Sequence, residues 1–402
     1  MSTPNTGPLT GVRVADLTSV LLGPFATQIL GDMGADVIKI EGPEGDTTRD
    51  LGPRRSPGMA SVYLNANRNK RSLCIDLKSS DGRAAFLKLL ETMDVFVHNM
   101  RPSAIERLKL TYEDVRAVNP KIIYCGAYGF GQDGPYANKP AYDDMIQGVS
   151  GIAATQSALM GRPGYMPTVI ADKTTGLTVV YSVSMALFNR ERTGEGQEIK
   201  IPMFETMVQF HMLEHMYGKN FEPPLGPAGY PRAISPKRHP YKTKDGMIGV
   251  LPYVDKQWKA FFDIAGTPEL MEDPRFCNVT ARLENIDEVY RILGELVATR
   301  TSAEWLAALD AASIPAVPIN TPDELLDDEH LNAVDFWQTM EHPTEGPLVF
   351  PGIPTNFSET PGRVSRHAPT LGEHNAEVLE EIGVSASEIE QMVTSGALHS
   401  GS

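Results

Sequence analysis

From about residue 12 to residue 125, short apolar runs alternate with stretches whose apolar positions recur every three or four residues. The runs at 12–17, 36–40, 72–76, 94–98 and 121–125 predict strands. Between them, residues 25–33 predict a helix ending at Gly34. Residues 81–93 predict another, with Ala85, Leu87, Leu89 and Leu90 inward. Strands alternating with helices imply an α/β domain, a doubly wound parallel sheet covered on both faces. Ligands of such sheets sit beyond the carboxyl ends of the strands, here the loops 18–24, 41–71, 98–101 and 126–141.

A longer helical pattern follows Val169-Ile-Ala171. Leu177, Val180, Tyr181, Ser184, Leu187 and Phe188 recur on one face, and the pattern stops at cations followed by Gly194. Asp172 is therefore expected where a loop turns into this helix. Two readings stand side by side: an N-cap, and a carboxylate open to substrate and kept ionised by nearby backbone N–H groups.

Residues 221–240 are rich in proline and glycine and read as a linker or active-site loop. Beyond them a hairpin-like segment at 242–251 and helices at 256–264, 286–299 and 303–311 predict a smaller α+β domain. Thr301…Glu304, Thr321…Glu324 and Ser385…Glu388 have the spacing of capping boxes. A strand at 348–353 and two helices close the chain. The expected division is 1–220, 221–325 and 326–402.

Composition narrows the function. Hydrophobic residues make up 41% of 402, and the formal net charge of −15 argues against nucleic acid as a partner. No leader is expected at residues 1–8, and the apolar run 177–188 is too short for a membrane span. Cys74, Cys125 and Cys277 are far apart and predict reduced thiols of a cytoplasmic protein without a metal site.

Gly129-Phe-Gly-Gln-Asp-Gly134 has dinucleotide-loop spacing, but Pro135 follows where a helix is needed, so a mobile glycine loop over an active site is expected instead. His211-Met-Leu-Glu-His215 has an inverted zinc-protease spacing, yet sits in an apolar helical stretch that favours packing. No phosphate-binding P-loop or serine nucleophile elbow is found. Cations at Arg68, Lys70 and Arg71, at Arg101 and Arg107, and at Lys139 suit a phosphate-bearing ligand as well as they suit solvent.

Taken together, several segments resemble the class III CoA-transferases, the group of formyl-CoA and carnitine CoA-transferases and 2-methylacyl-CoA racemases. They are Gly11-Val-Arg-Val-Ala-Asp-Leu-Thr18, Gly23-Pro-Phe-Ala-Thr27, Gly34-Ala-Asp-Val-Ile-Lys-Ile-Glu41, Asn67-Arg-Asn-Lys-Arg-Ser-Leu73, His98-Asn-Met-Arg-Pro102, Gly129 to Pro135, Ala171-Asp172, Arg192 to Gln197 and Leu371-Gly-Glu-His374. The resemblance implies a Rossmann-like large domain completed by the C-terminal end, a smaller domain between, and two subunits interlocked as a homodimer. It implies acyl-CoA and a small carboxylic acid as substrates, with coenzyme A as co-substrate and no tightly bound cofactor.

By the same resemblance Asp172 is the nucleophile, carrying mixed-anhydride and aspartyl-CoA thioester intermediates, with Tyr142 and Gln28 beside it. Val20, Leu21, Arg71, Asn99, Met100, Arg107 and Lys139 are expected at the CoA. Gly42 replaces an arginine common after the second strand, and Gly226 to Gly229 stands in for a longer glycine loop, which argues against formyl or oxalyl transfer. The racemase branch has His-Asp where this chain has Tyr142-Asp143, which favours the transferase. A racemase and a CoA-binding protein without turnover are the alternatives.

Overall fold

The computed structural model describes residues 6–399, so most of the stretch expected to lack a leader lies outside it. The chain divides into two compact units. One holds residues up to 146, 168–207 and 330 onward; the other holds 147–167 and 208–329. The expected boundaries at 221 and 326 thus differ from those observed, and the 147–167 excursion had no sequence sign.

The first unit is built on six strands: β1 (Arg13–Leu17), β2 (Asp36–Glu41), β3 (Lys70–Cys74), β4 (Val95–His98), β5 (Ile123–Tyr128) and β6 (Gln197–Pro202). All neighbours are parallel and the order is β3-β2-β1-β4-β5-β6. In-register rows such as Val37, Val14, Val95 and Ile123 are buried throughout. A sheet buried on both faces needs apolar residues at successive positions, which is why these strands read as runs.

Two strands depart from expectation. β3 begins two residues early, because Lys70 and Arg71 enter it as buried, paired cations: Lys70 Nζ lies 3.0 Å from Asp16 Oδ2. β6 was not foreseen, since its Gln-Glu-Ile-Lys-Ile-Pro sequence has a half-exposed edge pattern. The sheet edge at β3 receives the C-terminal residues through the Ile75–Leu398 bridge and the Asn375 side chain. An antiparallel hairpin of β10 and β11, Trp337–His342 and Gly346–Pro351, also belongs to this unit.

The second unit has a three-stranded antiparallel sheet of Tyr241–Lys242, Met247–Val250 and Ala316–Pro318. The helices Asp255–Ala265, Ile286–Val297 and Ser302–Ala311 enclose an aromatic core in which Phe261 stacks on Trp305 at 5.4 Å. The Thr301–Glu304 capping box forms as its sequence predicts.

Candidate active site

The strand order reverses between β1 and β4, and the loops leaving their carboxyl ends diverge to leave a crevice. Asn99, after β4, holds the loop after β1 through both amide atoms: Oδ1 accepts from Ser19 N at 3.0 Å, and Nδ2 donates to Ser19 O at 2.8 Å. The next residue, Val20, has φ of +69°, a strained value for a β-branched side chain. Its N–H donates to Asp46 Oδ1 at 3.2 Å, and the buried Lys39 Nζ sits 3.0 Å from Asp46 Oδ2. A buried ion pair thus stands behind the strained turn.

The crevice opens into a cleft of about 450 Å³ lined by Val20, Asn99, Met100, Arg107, Lys139, Tyr142 and Asp172, among others. Arg101 lines it as well, and none of these three cations is paired with a carboxylate among the described residues. Lys139 Nζ lies 3.8 Å from the centre of the Tyr136 ring. Three uncompensated cations in a strongly acidic chain make this cleft suited to phosphate groups.

Asp172 lies in the first turn of the helix Ile170–Thr193, whose N-cap is Val169. It is therefore not the cap. That work falls to Asp143: its Oδ1 accepts the N–H groups of Ala171 at 2.7 Å and Asp172 at 3.0 Å. The backbone donors expected to keep Asp172 ionised are thus spent on another carboxylate. Burial, and then the charge of Asp143, push the Asp172 carboxyl up to about 7. Asp143 was passed over because its type is equally at home on any helix start.

The face of this helix also turns out reversed. Ala171, Thr175, Val179, Val183 and Ala186 are buried, and Gly176 lets it approach the helix Leu22–Asp32: a Cβ there would lie 2.8 Å from Leu22 O. Of the residues expected inward, Leu177, Tyr181 and Phe188 are exposed. Small residues allow closer contact than the large ones that drew the eye.

Three expected site residues lie elsewhere. Gln28 is buried on the helix Leu22–Asp32, about 9 Å along its axis from its start, and donates to Asp32 Oδ2 at 3.0 Å. Leu21 is the N-cap position of that helix and does not line the cleft. Arg71 is held by Asp36, Glu377 and Glu381 at 2.6–2.9 Å. Its run enters β3 at the amino end, whereas the cleft lies at the carboxyl ends of parallel strands. Arg68 is likewise spent, 2.7 Å from Asp32 Oδ2.

Beneath the cleft, His98 ends β4 among the rings of Phe96, Tyr124 and Tyr128. Burial drives its pKa to about 3, so it stays neutral. No histidine lines the cleft. The glycine loop is anchored: Glu205 accepts the Gly131 N–H with both oxygens, at 2.9 and 3.2 Å, and Phe130 meets Phe204.

A buried carboxylate facing a cation-lined cleft at a topological switch point defines an enzyme that handles phosphate-bearing acyl substrates by a carboxylate. The comparisons with known proteins make this specific. Residues 9–375 match the model of CoA-transferase family III, and the chain belongs to that family. It is 36% identical to a succinate–glutarate CoA-transferase of Agrobacterium fabrum, over 93% of this chain and 96% of that one. It is 33% identical to a formyl-CoA:oxalate CoA-transferase of Streptomyces coelicolor, over 97% and 99%. The crystal structure of a CAIB/BAIF family protein from Brucella suis superposes with a TM-score of 0.78 at 31% identity, over 94% and 100%. The protein is a class III CoA-transferase that moves CoA between acyl-CoA and carboxylic acids. No helix among the described residues is long and apolar enough to cross a membrane.

Proposed function

We propose that Asp172 is the covalent nucleophile and that the acceptor is a small dicarboxylic acid. The observation that carries the first part is the position of the Asp172 carboxyl in the same cleft as Arg101, Arg107 and Lys139. The acceptor class is supported by relatives named for succinate, glutarate and oxalate.

An Asp172 oxygen attacks the donor thioester carbonyl; the C–S bond breaks, giving an acyl-aspartyl anhydride and CoA thiolate. The thiolate then attacks the aspartyl carbonyl, the donor leaves as free carboxylate, and Asp172 carries CoA as a thioester. The acceptor carboxylate attacks that thioester, and the same two steps run backwards. One thioester replaces another, so no nucleotide is consumed. A carboxyl near 7 is a stronger nucleophile, once ionised, than an ordinary aspartate. Arg107 and Lys139 hold CoA phosphates, the Val20 backbone borders its thiol end, and Asn99 fixes that turn. Tyr142 closes the cleft beside Asp172. The lack of an imidazole in the cleft favours transfer over racemisation at the α-carbon.

The working form is an interlocked homodimer in the cytoplasm. Leu177, Tyr181, Met185 and Phe188 support the dimer: they form an exposed apolar stripe along one helix. The three free cysteines are consistent with the location. Transfer is tested by supplying succinyl-CoA with a panel of acids: CoA passed to a dicarboxylate by wild type, and not by Asp172→Ala, supports the reading. α-Proton exchange in a branched acyl-CoA with no transfer overturns it.

A further inference from the structure

The second unit contains a cavity of its own, about 390 Å³, framed by Arg232, Arg238, Tyr241, Tyr290 and Val317. That volume is in the range of small-molecule sites. Its wall is apolar: Val250 and Leu251 come from the strand Met247–Val250 and its exit, and Ala316 and Val317 from the strand Ala316–Pro318. Its polar side is cationic. Arg232 is half-buried, and neither it nor Arg238 is paired with a carboxylate among the described residues.

Both arginines act on the same place. Burial pushes the Tyr241 and Tyr290 phenols up, and Arg232 and Arg238 pull both back. The two guanidinium groups therefore converge on the tyrosine side of one cavity, in a chain that pairs most of its buried cations with acids. A guanidinium offers two parallel donors that match a carboxylate. An apolar wall opposite suits a short methylene chain.

We propose that this cavity binds a small dicarboxylic acid, with Arg232 and Arg238 holding its carboxylate and the Val250–Val317 wall covering its methylenes. This deepens the acceptor assignment and rests on it: the cavity selects dicarboxylic over monocarboxylic acids. Oxyanions could also come from the phosphates of CoA, so the test separates the two.

The test is calorimetric titration of the full-length protein with glutarate, and separately with adenosine 3′,5′-bisphosphate. Wild type and Asp172→Asn are expected to bind glutarate alike. Arg232→Gln and Arg238→Gln are expected to weaken it about tenfold or more, the loss of a charged hydrogen bond, with unchanged circular dichroism. In turnover, KM for glutarate rises by the same factor while KM for acyl-CoA and kcat stay put. Glutarate binding that is absent in wild type, or unchanged in both variants, overturns the proposal. So does loss of the bisphosphate in place of glutarate. Those results leave CoA transfer through Asp172 standing. Absence of transfer with intact glutarate binding would instead overturn the reaction assignment alone.

Discussion

Asp143 caps the helix on which Asp172 stands. One carboxylate oxygen takes the N–H groups of Ala171 and Asp172, and the same carboxylate raises the Asp172 pKa. The capping that fixes the nucleophile's backbone therefore also delays its ionisation.

Asp143→Asn keeps an acceptor and removes the charge. The Asp172 pKa is expected to fall below 7 without reaching 3.8, because burial, the larger cause, remains. The acid limb of the rate of enzyme–CoA formation should move to lower pH, read by rapid quench. An unmoved limb would deny the coupling.

The raised pKa has a stability consequence. An aspartate whose folded pKa is above its unfolded value favours the fold when protonated. Its burden is absent below about pH 4, grows as pH rises, and is complete above pH 7. Asp172→Asn should thus be inactive yet more stable at pH 8, by up to about 4 kcal/mol. The gain should vanish toward pH 4 in denaturant titrations. Equal stability at pH 8 would count against a buried, protonated Asp172.

Arg71→Ala separates two roles. The side chain is buried against three carboxylates, so its loss should cost about 3 kcal/mol and leave KM for acyl-CoA unchanged. Arg107→Ala should do the reverse, raising that KM about tenfold with little effect on melting temperature. A KM effect from Arg71 would restore it to the CoA site.

Met185→Glu or Phe188→Glu places a charge in the exposed stripe. Either should lower the mass seen in sedimentation to that of one chain and abolish activity. An undisturbed dimer would move the interface to another surface.

Much of this was legible in the chain. β1, β2, β4 and β5 follow from unbroken apolar runs because both faces of the sheet are buried, and Asp172 from its place at a helix start. What failed did so for one physical reason: residue type was read as environment. Lys70 and Arg71 looked solvated because their partners Asp16, Asp36 and Glu381 are distant in sequence. Leu177 and Phe188 looked inward because large apolar residues usually are, whereas Gly176 and Ala186 make the close contact. Asp143 could not be linked to Asp172 without knowing how two loops fold together.

The most direct measurement is intact mass of the protein after incubation with succinyl-CoA and rapid acid quench. The account predicts a CoA-sized adduct on wild type, mapped to Asp172 by peptide analysis. Glutarate should release it, and Asp172→Ala should not form it. A wild type that transfers CoA with no adduct, or an adduct that survives in Asp172→Ala, would contradict it.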